Sequence, residues 1–257
     1  MNRALLVGIN SYPRFPLQGC VNDVNDVATL LAGEYGFLPS AVTLLTDAAA
    51  THSNIESALR TLIADSTPGD RVVFHYSGHG TQMVSDGEVV DAICPIDCDF
   101  TSSDNLTAPK FADLFSTLSP GVQFTWIADS CYAGGLEALS RSTGRKRYMP
   151  PSPQEQARID GILASARPRR RRFAESVAAN VLLVAGCGAN EGADDADIDG
   201  RYNGAFTFYW LGALKSHPGD PLGALCEEIA TGLKGANYAQ TPQLHGSAEM
   251  AAKAFLA

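Results

Sequence analysis

Val72-Val73-Phe74-His75-Tyr76-Ser77-Gly78-His79-Gly80 is the stretch that decides the fold. Val72 to Tyr76 has strand length and is nearly continuous in apolar residues, as a strand buried on both faces should be. Ser77 to Gly80 then turns the chain with two glycines around a histidine. Four other runs have the same apolar form: Ala4 to Ile9, Val42 to Leu45, Phe124 to Ala128 and Val181 to Ala185. Segments of helical period lie between them. Val21, Val24, Val27, Ala28, Leu30 and Leu31 mark one helix face. Ile55, Ala58, Leu59, Leu62 and Ile63 mark a second, with Ser53 and Asn54 as caps and Pro68-Gly69 as the stop. Phe111 to Leu118, Ala205 to Leu214 and Leu222 to Leu233 read as further helices. Strands alternating with helices predict an α/β protein with a mostly parallel, twisted sheet and helices on both faces.

Working outward, three short motifs each follow a predicted strand. They are Gly19-Cys20-Val21-Asn22-Asp23, Ser77-Gly78-His79-Gly80 and Asp129-Ser130-Cys131-Tyr132-Ala133-Gly134-Gly135. In a doubly wound sheet all three lie at the carboxyl edge, where the strand order reverses and ligands bind. That placement brings an imidazole, a thiol and carboxylates to one crevice. A thiol becomes a competent nucleophile when an imidazole and the amides of a helix start favour its thiolate. Cys131 stands at such a strand-to-helix turn, and Gly134 and Gly135 permit close approach of a substrate. The backbone N–H groups of Gly80 and Cys131 are the natural donors to an oxyanion. The set points to acyl transfer through a thioester. A cysteine phosphatase is disfavoured, because Glu137 stands where that chemistry requires Arg, and no GxxxxGK[ST] or GxGxxG phosphate loop occurs.

The 257 residues are 45% hydrophobic and 18% charged, which excludes a disordered or disulfide-scaffold chain and leaves enough core for one large domain spanning 1–257 or for two small ones. The N-terminal apolar run is shorter than a signal-peptide core, and no run nears the roughly 20 residues of a membrane span. A soluble, cytoplasmic protein is therefore expected, with no membrane partner and with its six cysteines reduced. Cys94 and Cys98 lack a second pair at zinc spacing. A net charge of -9 argues against generic nucleic-acid binding. The charge is uneven, however. Residues 141 to 172 hold ten Lys or Arg against two acids, so an acidic body carries one basic, Pro-rich insert at about 140–173. Its bland reading is a solvated linker, since long structureless loops in compact domains are either functional or disordered.

His-Tyr-Ser-Gly-His-Gly followed about fifty residues later by Asp-Ser-Cys-x-x-Gly resembles the caspase-like cysteine peptidases of family C14, in the metacaspase and bacterial orthocaspase branch. Leu5 to Asn10 with Tyr12, Gly19 to Asp23, Asp91 to Asp97, Gly204 to Leu214 and Gln240 to Leu244 extend the likeness along most of the chain. The resemblance implies a caspase-hemoglobinase-like fold and a cysteine endopeptidase. It implies a dyad of Cys131 as nucleophile and His79 as general base and acid, and an acidic S1 pocket from Asp23 and Asp129 with Ser77 on its wall. Such a pocket selects Arg or Lys at P1. Asp129 has a second reading, as a cap that holds the Cys131 turn.

With that specificity the insert carries potential substrates of its own. The insert is therefore expected to be an inhibitory or activation loop, with Arg145, Lys146, Arg147, Arg167, Arg169, Arg170, Arg171 and Arg172 as the processing candidates, for the enzyme itself or for an upstream protease. Two other classes compete: a catalytically silent adaptor docking through the basic loop, and a nucleic-acid tether, which sparse aromatic interleaving disfavours. No cofactor is required by the residues. The resemblance leaves calcium open, with Asp97, Asp99, Asp194, Asp195 and Asp197 as oxygen donors, though not at EF-hand spacing.

Overall fold

All five apolar runs become strands of one six-stranded sheet in the computed structural model, which describes residues 1–100, 105–132 and 145–257. They are β1 (Asn2–Gly8), β2 (Val42–Thr46), β3 (Arg71–Ser77), β6 (Gln123–Asp129) and β9 (Val181–Ala185). A hairpin of β4 (Gly80–Ser85) and β5 (Glu88–Ile93) follows the histidine turn, and β12 (Gln243–His245) completes the sheet. The order is β12-β9-β6-β3-β1-β2, parallel throughout except where β12 runs antiparallel to β9.

Since β2 and β3 lie on opposite sides of β1, the winding reverses there and a crevice opens beyond the carboxyl ends of the strands. Gly8 pairs with Ser77, and Ser77 with Asp129, so the last residues of β1, β3 and β6 form one row at that edge.

The period of two along each strand divides the core. On one face Leu5, Val7, Phe74, Tyr76, Phe124 and Trp126 pack with Ile55 and Leu59 of the helix His52–Ala64 and with Phe111 and Phe115 of the helix Ala108–Ser116.

 Trp126 stacks on Phe111 with ring centroids 4.4 Å apart. On the other face Ala4, Leu6, Val73, Ile127 and Val184 pack with the helices Cys20–Glu34, Ala205–Ser216 and Leu222–Gly235 through Val24, Leu31, Phe206, Trp210, Leu225 and Ile229. Each fully buried aliphatic or aromatic side chain contributes roughly 1.5–3 kcal/mol. The helix His52–Ala64 is capped two to three residues earlier than the sequence predicts. Thr51 Oγ1 accepts the Asn54 amide, which places Ser53 and Asn54 inside the first turn.

The described part of the insert, residues 145–173, is more ordered than a solvated linker. Ser152 caps a helix, Pro153–Leu163, that begins with proline, buries Ile159 and sends Glu155 to the Val84 amide. Arg170–Arg171 (β8) pairs parallel to Val89 and Val90 of β5. Phe173 then enters the core edge-on to Phe111 and Trp126. These few apolar anchors fix a segment whose composition alone reads as loop. No described helix is long and apolar enough to cross a membrane.

Candidate active site

The crevice is built around a buried arginine. Arg147 is fully buried and its guanidinium lies among three carboxylates: Nη2 is 2.8 Å from Asp23 and 3.1 Å from Asp195, and Nη1 is 3.1 Å from Asp129. Nη1 also donates to Ser77 Oγ at 2.7 Å. The sheet places each partner. Ser77 and Asp129 end neighbouring strands, and Asp23 lies in the first turn of the helix after β1. Asp195 comes from β10 (Asp194–Ile198), which forms a small antiparallel sheet with β11 (Arg201–Gly204) and the two-residue β7 (Arg145–Lys146).

Unpaired, these buried charges would be costly; their mutual pairing and hydrogen bonds compensate. Asp23 accepts from Asn203 Nδ2 at 2.9 Å and from the Gly204 amide at 3.0 Å. Asp195 accepts from the amides of Gln18 and Gly19 at 2.8 and 2.9 Å. Asp129 accepts the Thr207 amide at 3.0 Å and hydroxyl at 2.7 Å, so it caps the helix Ala205–Ser216 while facing the pocket. Burial, with Asp23 nearby and against the pull of Arg147, pushes the Asp129 carboxyl up to about 6. The protein's own donors therefore orient the acidic pocket. A Cβ on Gly204 would overlap both Asp129 and the guanidinium, so the space for the arginine depends on that glycine.

The backbone of Arg147 is held as firmly as its side chain. Its carbonyl oxygen accepts from the amide of Gly80 at 3.0 Å and from that of Cys131 at 3.1 Å. Its own amide donates to the Ala193 carbonyl at 3.0 Å. Residues 145–147 thus add an edge strand to β10. Gly80 approaches the Cys131 carbonyl so closely that a side chain there has no room.

Cys131 is buried beside Tyr148, Cys187 and Ala193, and its Sγ accepts from the Ala193 amide. His79 is almost fully buried, with its ring 4.5 Å from that of Tyr12. His79 Nε2 lies 2.6 Å from the Phe15 carbonyl, an acceptor only, so Nε2 carries the proton. Among the described residues the buried Nδ1 has no hydrogen-bond partner, and it is left with a lone pair. Burial lowers the His79 pKa to about 4, against the opposing pull of the Phe15 carbonyl. An open cleft of about 490 Å³ beside the ring is lined by Phe15, Leu17, Arg145 and Tyr148 among others.

Every residue predicted for the dyad, the oxyanion donors and the pocket therefore lies in this crevice: Cys131, His79, Gly80, Asp23, Ser77 and Asp129. Of the processing candidates, Arg145, Lys146 and Arg147 enter it. Arg169, Arg170, Arg171 and Arg172 do not: Arg169 and Arg171 ion-pair with Glu88 at 2.7 and 3.3 Å on the β4–β5 hairpin. Arg167 is exposed by the same hairpin. Gly134, Gly135, Arg141 and the helix start expected after Cys131 lie outside the described residues.

Four of the five acidic residues considered for calcium have partners within the chain. Asp194 and Asp195 engage Lys146 and Arg147, Asp97 accepts the His52 amide and Asp197 the Gly200 amide. Among the described residues no group of three or more His, Cys, Asp or Glu is placed to hold a metal ion. All six cysteines are free.

Sequence reasoning missed Asp195 as a pocket residue and Arg147 as its occupant. The signal was the adjacent acid pair Asp194-Asp195 soon after a central strand. Neighbouring strand residues point to opposite faces, so Asp194 meets Lys146 and Asp195 meets Arg147.

The profile described as "Metacaspase, peptidase C14 domain" matches residues 2–139. Metacaspase-1 of Ajellomyces capsulatus is 29% identical over 286 residues, covering 94% of this chain and 78% of the relative. Metacaspase-1 of Scheffersomyces stipitis is 29% identical over 284 residues, covering 94% and 70%. A crystal structure of a Geobacter sulfurreducens protein superposes with a TM-score of 0.72 at 23% identity, over 98% of this chain and 97% of that one. This likeness establishes the fold, whereas the profile, which matches more than half of the chain, settles the lineage. The chain belongs to the metacaspases of peptidase family C14, caspase-like cysteine endopeptidases.

Proposed function

We propose that this peptidase cleaves after Arg, and less efficiently after Lys, using Cys131 and His79, and that its own Arg147–Tyr148 bond is one of its substrates. The reading rests on a single observation. Arg147 has its side chain in a three-carboxylate pocket while the amides of Gly80 and Cys131 both donate to its carbonyl, which is how a P1 residue is held for attack. Arg fills the pocket with two nitrogens on different acids, whereas Lys offers one. Aspartate at P1 would be repelled.

In this mechanism His79 Nδ1 takes the thiol proton and Sγ of Cys131 forms a bond to the Arg147 carbonyl carbon. The resulting oxyanion is held by the Gly80 and Cys131 amides. The C–N bond to Tyr148 then breaks as His79 returns the proton to the leaving nitrogen. Water hydrolyses the thioester and regenerates the thiol. Sγ must leave the Ala193 amide to attack, so substrate binding and thiol rotation belong to one step. Processing of this bond would free the pocket for other chains. Arg169 to Arg172, outside the crevice, are the sites open to a separate protease. An adaptor role leaves the convergent donors without a purpose.

The test is hydrolysis of fluorogenic peptides ending in Arg, Lys or Asp by wild type and Cys131→Ala. Release from Arg, weaker release from Lys, none from Asp and none by the variant is expected. Because His79 works as a neutral base and burial depresses its pKa, the acid limb of kcat should fall near pH 4, below the ordinary histidine value. Release from Asp but not Arg would overturn the assignment.

A further inference from the structure

Lys146 is held almost as completely as Arg147. Its Nζ lies 3.0 Å from Asp194 Oδ1, 3.1 Å from Oδ2 and 3.4 Å from the Gly192 carbonyl. The Asp194 side chain is fully buried and that of Lys146 is 7% exposed, so the pair is shielded from solvent screening. The subsite is fixed by its own chain. Gln240 Oε1 accepts the Asp194 amide at 3.0 Å, and Gln240 Nε2 donates to the Gly186 carbonyl at 2.9 Å. A Cβ on Gly192 would overlap the Lys146 stem, so this glycine opens the channel along which the lysine reaches the acid. Arg145, one residue further back, is exposed and makes a side-chain hydrogen bond to the Pro16 carbonyl at 3.1 Å, a much looser fit.

We infer that Asp194, Gly192 and Gln240 form an S2 subsite for lysine, which makes the preferred substrate class Lys-Arg dibasic segments. This rests on the reading of Arg147 as the P1 residue and goes beyond it. The two acids of β10 divide the work by the alternation of the strand: Asp195 takes part in P1 recognition and Asp194 in P2. An ordinary pocket for one basic residue needs only the first.

The experiment compares kcat/KM for matched fluorogenic peptides that all end in Arg and carry Lys, Ala or Glu at P2. A charge-assisted, shielded contact supports about a 10- to 100-fold preference for Lys over Ala, with Glu poorest. Asp194→Asn should bring the Lys-to-Ala ratio close to one. Should that variant fail to fold, Lys146→Met tests the same contact from the substrate side: self-cleavage after Arg147 should slow by a similar factor. Equal turnover of Lys and Ala peptides by the wild type would overturn the S2 assignment while leaving Arg specificity intact. Failure to cleave any Arg-terminated peptide would overturn the reading on which it rests.

Discussion

Arg147→Ala, made in a Cys131→Ala background so that neither chain is cut, is expected to lose about 3–5 kcal/mol of stability. The substitution leaves Asp23, Asp129 and Asp195 in a buried pocket without their countercharge. Their remaining donors, the amides of Gly19, Gly204 and Thr207 among them, orient the carboxylates but do not neutralise them. Urea unfolding measures the loss as a lower midpoint at unchanged slope. For a chain of this size each kcal/mol corresponds to roughly 2–4 °C in Tm. A millimolar arginine-like cation, such as agmatine, should restore part of the difference by refilling the pocket, whereas it should leave the Arg147-bearing parent unmoved. A midpoint equal to that of the parent would mean that the acids do not need the guanidinium.

Asp23→Asn should lower kcat/KM for Arg-terminated peptides by about 10²–10³, because truncating the charge of one partner in a buried pair costs 2–5 kcal/mol. Asp23 is the best-held acid of the three, taking hydrogen bonds from Ser77, Asn203 and Gly204 as well as from the guanidinium. Asparagine keeps its shape but removes the charge, and its amide would face donors. The loss should be largest for Arg, smaller for Lys and absent for neutral P1 residues, so the preference itself narrows. Steady-state kinetics across the three substrates measures it. A change below about three-fold would remove Asp23 from P1 recognition.

Much of this was legible in the sequence for simple physical reasons. The buried strands declare themselves as short apolar runs, and a sheet of that kind places whatever follows each strand at its carboxyl edge. Ser77, His79, Asp129 and Cys131 could therefore be brought together without coordinates. Hydrogen-bond register was not legible, and the specificity detail depends on it. Asp194 and Asp195 look like any acid pair until β10 is set against residues 145–147. The insert misled for a related reason. Four prolines and a run of arginines read as solvated chain, but Ile159 and Phe173 fasten it to the hairpin and core, and Arg147 is the charge that the crevice neutralises.

The claim that Arg147 occupies the crevice as a substrate is tested most directly by intact-mass analysis and N-terminal sequencing of wild type and Cys131→Ala after incubation. A wild-type fragment beginning at Tyr148, formed at a rate independent of protein concentration, and an uncut variant are expected. A fully active wild-type enzyme whose Arg147–Tyr148 bond stays intact would contradict it.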